Sequence, residues 1–186
     1  MIIGITGWFA SGKDTVADYL VKKGFKSFSL SDVLREELRK EGKEVIRQNL
    51  LAKGNELRAE FGPGCLAERA LVKIEEFGGN WVVPAIRQMG EVKALRQNKD
   101  FVLWEVLAPI DVRFDRMKRR GKGGEDDAIK SIEELKARED LERSGAENAP
   151  QIDLVTAEAD VKIDNSGNFK DLYHEIDKIL EEHAQE

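Results

Sequence analysis

Residues 7–15 read Gly7-Trp8-Phe9-Ala10-Ser11-Gly12-Lys13-Asp14-Thr15. They follow the apolar run Ile2-Ile3-Gly4-Ile5-Thr6 and open a segment in which Val16, Ala17 and Leu20 fall on one helical stripe. A glycine-rich turn between a strand and a helix can point successive backbone N–H groups at phosphate oxygens, because glycine adopts backbone angles that other residues resist. The helix start adds its positive dipole end. Lys13 supplies a cation for a phosphoryl group, and the lysine at this spacing separates the pattern from an ordinary glycine turn. On this reading Gly7, Ala10, Ser11, Gly12, Lys13, Asp14 and Thr15 bind a nucleotide phosphate. Asp14 stands where a hydroxyl residue usually follows the lysine. It is a hard oxygen ligand suited to Mg²⁺, and it is equally a first-turn acid that stabilises the helix dipole.

Outward from the loop, short apolar runs alternate with longer helical patterns, which predicts an α/β fold with a parallel sheet. The predicted strands are 2–6, 25–29, 81–84, 101–107 and 161–163. The predicted helices are about 13–22, 32–41, 44–60, 64–76, 88–97, 110–120, 131–142 and 168–182. Residues 121–127 and 144–150 read as surface connections, and no stretch marks a domain boundary. The 186 residues suit one domain.

Composition excludes several classes. At 41% hydrophobic and 35% charged the chain reads as globular rather than disordered, and no apolar run approaches the ~20 residues of a membrane span. The start predicts no secretory leader. A formal net charge of −6 argues against binding a nucleic-acid polymer. The single cysteine, Cys65, fits a reducing cytoplasm.

With the loop, three further stretches carry a resemblance. They are Phe28-Ser29-Leu30-Ser31-Asp32-Val33-Leu34-Arg35, Ala85-Ile86-Arg87-Gln88-Met89-Gly90-Glu91-Val92, and Ala159-Asp160-Val161-Lys162-Ile163-Asp164-Asn165-Ser166-Gly167. The chain resembles the P-loop small-molecule kinases, and looks most like the dephospho-CoA kinase branch and its archaeal nucleotide-kinase relatives. The Gly-Lys-Asp-Thr tetrad is similar to that of phage deoxynucleoside monophosphate kinases. The resemblance implies a three-layer P-loop NTPase fold with a five-stranded parallel sheet, with ATP at the carboxyl ends of the strands. It also implies a helical acceptor region at about 43–78 and a lid at about 113–145.

The implied activity moves the γ-phosphoryl group of ATP, with Mg²⁺, to a small anionic acceptor. That acceptor is a nucleoside or deoxynucleoside monophosphate, or a dephospho-CoA-like alcohol, and the protein acts as a monomer or homodimer. A nucleotide-binding switch is the competing reading. In the resemblance Asp32 orients or deprotonates the acceptor, with helix capping as its ordinary alternative. Arg35 and Arg58 hold acceptor anions, or Arg35 is a solvated helix arginine and Arg58 an ion pair beside Glu60. Arg87 clamps a phosphate bidentately with Glu91 one turn on to hold it. Arg113, Arg116 and Arg120 share one helical face. Facing the site, the three act as a lid that delivers charge to the transferring phosphate, Arg116 and Arg120 as catalytic groups; facing water, they pair with Glu125, Asp126 and Asp127. Asn165 and Gly167 meet adenine, or form a bare turn. One departure is Pro84, which ends the third strand where related kinases carry an acid. Asp14 is then expected to supply the charge that Pro84 cannot.

Overall fold

The computed structural model describes residues 1–119, 129–143 and 149–183. Five strands, β1 (Ile2–Thr6), β2 (Lys26–Ser27), β3 (Trp81–Val83), β4 (Phe101–Leu107) and β5 (Val161–Asp164), form one parallel sheet in the order β2-β3-β1-β4-β5. β1 lies at its centre, pairing Ile2 with Trp81 on one side and with Phe101 on the other. All five of its residues are buried, as expected of a strand covered on both faces.

Side chains alternate across β1, and each face has its own core. Ile3 and Ile5 pack with Val82, Trp104, Val106 and Ile163 under α1 (Lys13–Lys22) and α9 (Phe169–His183). On the opposite face Ile2, Val83, Phe101 and Leu103 meet α2 (Leu30–Lys40), α4 (Cys65–Phe77) and α5 (Met89–Leu95). α3 (Arg47–Phe61) packs outside α2 and α4. A third, small cluster joins Ala10 of the glycine loop to Phe114 and Met117 of α6 (Ile110–Arg119) and Leu135 of α7 (Ile132–Arg143). The three-layer architecture and the sheet expected from the sequence are those of the fold. Among the described residues no helix is long and apolar enough to cross a membrane.

Several boundaries differ from the sequence reading. The second strand shortens from 25–29 to two exposed edge residues, and α2 starts at Leu30 rather than residue 32. The cause is local: Ser29 Oγ accepts the Ser31 N–H while Asp32 Oδ2 accepts the Ser29 N–H, a reciprocal cap that ends the strand. β3 stops at Val83, before a proline that has no N–H to give a ladder. The sequence reading also missed α8 (Ile152–Ala157), a helix of six residues too short to show a period. Its Ile152 and Val155 are buried, and the Gln151 N–H donates to Arg87 O at 2.8 Å.

The starts of α4 and α5 touch through glycines. A Cβ on Gly64 would lie 2.8 Å from Gly90 O, and one on Gly90 would lie 2.8 Å from Pro63 C. Backbone cannot give way as a flexible side chain can, so Gly90→Ala is expected to cost about 1–3 kcal/mol. Thermal unfolding should show a lowered Tm, by about 2–4 °C for each kcal/mol.

Candidate active site

The chain leaves β1 at its carboxyl end and turns through Gly7 (φ 135°) and Gly12 (φ 102°) into α1. Neither position admits a side chain. A Cβ on Gly7 would lie 2.5 Å from Val106 O, and one on Gly12 would collide with Asn165 Nδ2. Ala10 takes φ 55° within the turn, and the other non-glycine residue with positive φ among those described is Ala85 (61°), just past β3. Both strained residues stand at this edge of the sheet. Gly12 caps α1 without a side-chain bond, so the N–H groups of the first helical turn point outward for an anion. Ser11 Oγ is buried with no hydrogen-bond partner, a polar atom that a ligand oxygen would satisfy.

Lys13 folds back over this turn, its Nζ donating to Gly7 O (2.8 Å) and Trp8 O (2.7 Å). Burial, and then the nearby Arg87 guanidinium, lower its ammonium to about 8; Asp14 and Glu142 oppose that shift. Asp14 itself is exposed on the first turn of α1. Among the described residues no group of three or more His, Cys, Asp or Glu could hold a metal ion.

Two cavities flank the loop. One, of about 510 Å³, is lined by Gly12, Thr15, Arg116, Arg119, Asn165, Gly167, Asn168 and Phe169. Its wall is tied to the loop: Asn165 Nδ2 donates to Ser11 O at 2.8 Å, while Arg116 donates to Ser11 O (3.3 Å) and Asn165 O (2.6 Å). Phe169 went unnoticed in the sequence. The exposed Phe169 ring stacks on Tyr173 at 6.1 Å, which stacks on Tyr19 at 4.0 Å. Aromatic residues at four-residue spacing on an otherwise polar helix start were the available signal.

The second cavity, of about 390 Å³, lies between α2, α3, α5 and the end of β3. Leu34, Leu50, Leu51 and Leu66 give it an apolar wall; Ser29, Asn55, Arg58, Arg87 and Gln88 give it polar groups. Glu91 is buried at its base. It accepts the main-chain N–H groups of Arg87 (3.1 Å) and Gln88 (3.3 Å) and faces Arg58 Nη2 at 3.7 Å. Burial pushes its carboxyl above the usual range, against those donors. The expected pairing of Glu91 with the Arg87 guanidinium is not formed, because the carboxylate is taken up by the helix start and Arg58. The guanidinium reaches Glu142 Oε1 instead, at 3.5 Å. Nor does Arg58 pair with Glu60.

Asp32 and Arg35 stand apart from this cavity. Asp32 divides itself between the α2 cap and Arg35 Nη1, at 2.6 Å. Neither residue is among those lining the cavity.

The arginine face of α6 also divides. Arg113 is buried, donating to Ala108 O (2.9 Å) and Phe9 O (3.1 Å) and pairing with the buried Glu139 of α7. It pins α6, α7 and the loop together, and is neither facing a ligand nor paired with the acids at 125–127. Arg120 and those acids lie outside the described residues. α7 falls within the lid expected at about 113–145, although none of its residues was singled out. Arg138 lies over the Phe9 ring at 4.8 Å and Arg143 over the Trp8 ring at 5.1 Å.

Comparison with known proteins agrees with this geometry. Residues 3–142 match the AAA domain family. A UPF0200/UPF0201 protein of Archaeoglobus fulgidus is 35% identical over 185 residues, covering 96% of this chain and 54% of the relative. The present chain spans about half the length of that relative. A UPF0200 protein of Methanocaldococcus jannaschii is 32% identical over 185 residues, covering 98% of this chain and 90% of the relative. The chain belongs to the UPF0200 family and carries an AAA-type P-loop domain. A solved dephospho-CoA kinase from Campylobacter jejuni superposes on 99% of the UPF0200 chain and 97% of its own, with TM-score 0.60 and 18% identity. A shikimate kinase from Bacteroides thetaiotaomicron covers 97% and 98%, with TM-score 0.58 and 16% identity. These likenesses establish the P-loop kinase-like fold.

Arg113→Ala would strand the Glu139 carboxylate in the interior, at an expected cost of about 3–5 kcal/mol in denaturant unfolding. Replacing both partners, Arg113→Met with Glu139→Leu, should recover most of that loss, because no buried charge is left alone.

Proposed function

We propose that this protein is an ATP-dependent phosphotransferase whose acceptor is a nucleoside or deoxynucleoside monophosphate. The observation that carries the reading is the position of the glycine loop between two cavities. Gly12 lines the cavity beside Asn165 and Phe169, while Arg87 lines both the opposite cavity and the pocket at Lys13. A donor base and ribose would occupy the first cavity, between the Arg116 and Arg119 guanidiniums and the Phe169 ring. The loop N–H groups, Ser11 Oγ and Lys13 would bind the phosphates. The acceptor would occupy the second, among Arg58, Arg87 and Gln88, with 43–78 as the acceptor-binding region and 113–145 as the lid.

Transfer forms one bond, from an acceptor oxygen to the γ-phosphorus, and breaks the bond from that phosphorus to the β–γ bridging oxygen, releasing ADP. Positioning and charge then supply most of the catalysis. Lys13 and Arg87 neutralise the transferring group, and Arg58, oriented by Glu91, holds the acceptor phosphate. A magnesium ion, when bound, screens the triphosphate charge, and Asp14 is the residue that would hold it in place of an acid at the end of β3.

The acceptor class follows from Asp32. An alcohol gains much from a general base, whereas a monophosphate, with a second pKa of ~6, is already ionised near neutral pH. Asp32 is committed to capping and to Arg35, and the roughly 390 Å³ cavity suits a mononucleotide better than a dephospho-CoA-sized molecule. Pro84 at the strand end favours the second reading, a nucleotide-binding switch without transfer.

A coupled ADP-release assay across nucleoside and deoxynucleoside monophosphates, shikimate and dephospho-CoA separates these readings. Monophosphates should stimulate turnover; if no acceptor does, the switch reading stands. Arg58→Ala should raise the acceptor KM by about ten- to a hundredfold, from the loss of a charged hydrogen bond. Asp32→Asn should keep most of kcat, and Asp14→Ala should lose magnesium-dependent turnover far more than metal-free nucleotide affinity.

Lys13 gives a pH signature. With its ammonium lowered to about 8 by burial and by Arg87, the empty protein sheds that proton as pH rises through this value. Bound phosphate restores it by favouring the charged form. ATP affinity should therefore fall above about pH 8, and binding there should take up a proton. Calorimetry in buffers of different ionisation heat reads that uptake directly.

A further inference from the structure

The UPF0200 chain already holds a carboxylate where the phosphate reading needs an anion. Glu142, in the last turn of α7, lies 3.5 Å from Arg87 Nη1, and its charge acts on Lys13. Glu142 shares with Gly7, Trp8, Phe9, Lys13 and Arg87 a pocket of about 30 Å³. It is far smaller than the two larger cavities on either side. Lys13 spends two donors on the main chain of Gly7 and Trp8, closing the turn on itself. α7 is seated over the same turn by Arg138 on Phe9, Arg143 on Trp8 and the Glu139–Arg113 pair.

We propose that α7 is a self-occupying lid: Glu142 fills the anion position between Lys13 and Arg87, and a triphosphate enters only as this helix withdraws and its carboxylate is displaced. The inference rests on the phosphate-binding reading of the loop. It adds that the empty protein competes with its own ligand. The device suits a loop bearing two aromatic residues: with Trp8 and Phe9 covered by guanidiniums, a basic site stays closed to adventitious anions and opens for one carrying enough charge. Because Glu142 is only partly buried, the clasp is weak enough to be displaced.

Stopped-flow binding, read from Trp8 emission as Arg143 leaves its ring, tests this with ATP and with inorganic tripolyphosphate. In the wild-type protein the observed rate should level off at high ligand, because withdrawal of α7 precedes binding. Glu142→Gln keeps the shape and removes the charge. It should raise that plateau and tighten both ligands about threefold or more, and high salt should shrink the difference. Glu142→Asp, a shortened carboxylate, should fall between the two. Equal affinity in wild type and Glu142→Gln, with Lys13→Ala abolishing binding, overturns the self-occupying lid and leaves the loop's role intact. Weaker binding in Glu142→Gln also overturns it, since Glu142 would then be supporting Arg87. Failure of every variant to bind tripolyphosphate or ATP removes the phosphate reading, and this inference with it.

Discussion

Gly12 cannot carry a side chain, and much of the structure is arranged around that prohibition. Its left-handed backbone lets β1 turn within a few residues into α1, while Asn165 packs against the space a Cβ would fill. Asn165 comes from the end of β5, so the same contact ties the last strand to the first turn of the chain and donates to Ser11 O. Arg116 reaches the same carbonyl from α6. A loop that would otherwise lose much conformational entropy is thus held from two elements, with the Ser11 N–H turned inward to Trp8 O.

Cations dominate that edge of the sheet in an otherwise acidic chain, and each is handled differently. Arg113 is buried and fully answered by Glu139 and main-chain carbonyls, so it serves the fold. Arg58 is half-answered by Glu91, itself fixed by the start of α5. Arg87 and Lys13 are answered by Glu142, whose helix packs on the loop through a small apolar cluster and two ring–guanidinium contacts. Pairing thus ranges from buried and permanent at Arg113 to exposed and exchangeable at Arg87. Such a difference separates a scaffold charge from an exchangeable one.

Much of this was legible in the sequence because it is local. The loop needs glycine, lysine and flanking elements within nine residues, and the five strands announce themselves as short apolar runs. The capping residues of α2 were visible too, although Ser29 rather than Ser31 proved to be the cap. What failed to show was short or depended on partners distant in the chain. α8 has six residues and no period. The individual contacts of α7 were not legible, because nothing in 132–143 records that Trp8, Phe9 and Arg87 lie beneath it.

The sequence by itself determined the parallel sheet and the glycine turn, since periodicity and turn chemistry are written in neighbouring residues. Only the tertiary structure decided which arginine does what. Arg113 and Arg116 are three residues apart on one helix, yet one is buried against Glu139 and the other borders a cavity. Helical spacing gives a face, whereas burial, desolvation and the choice of counter-charge depend on which element packs against that face.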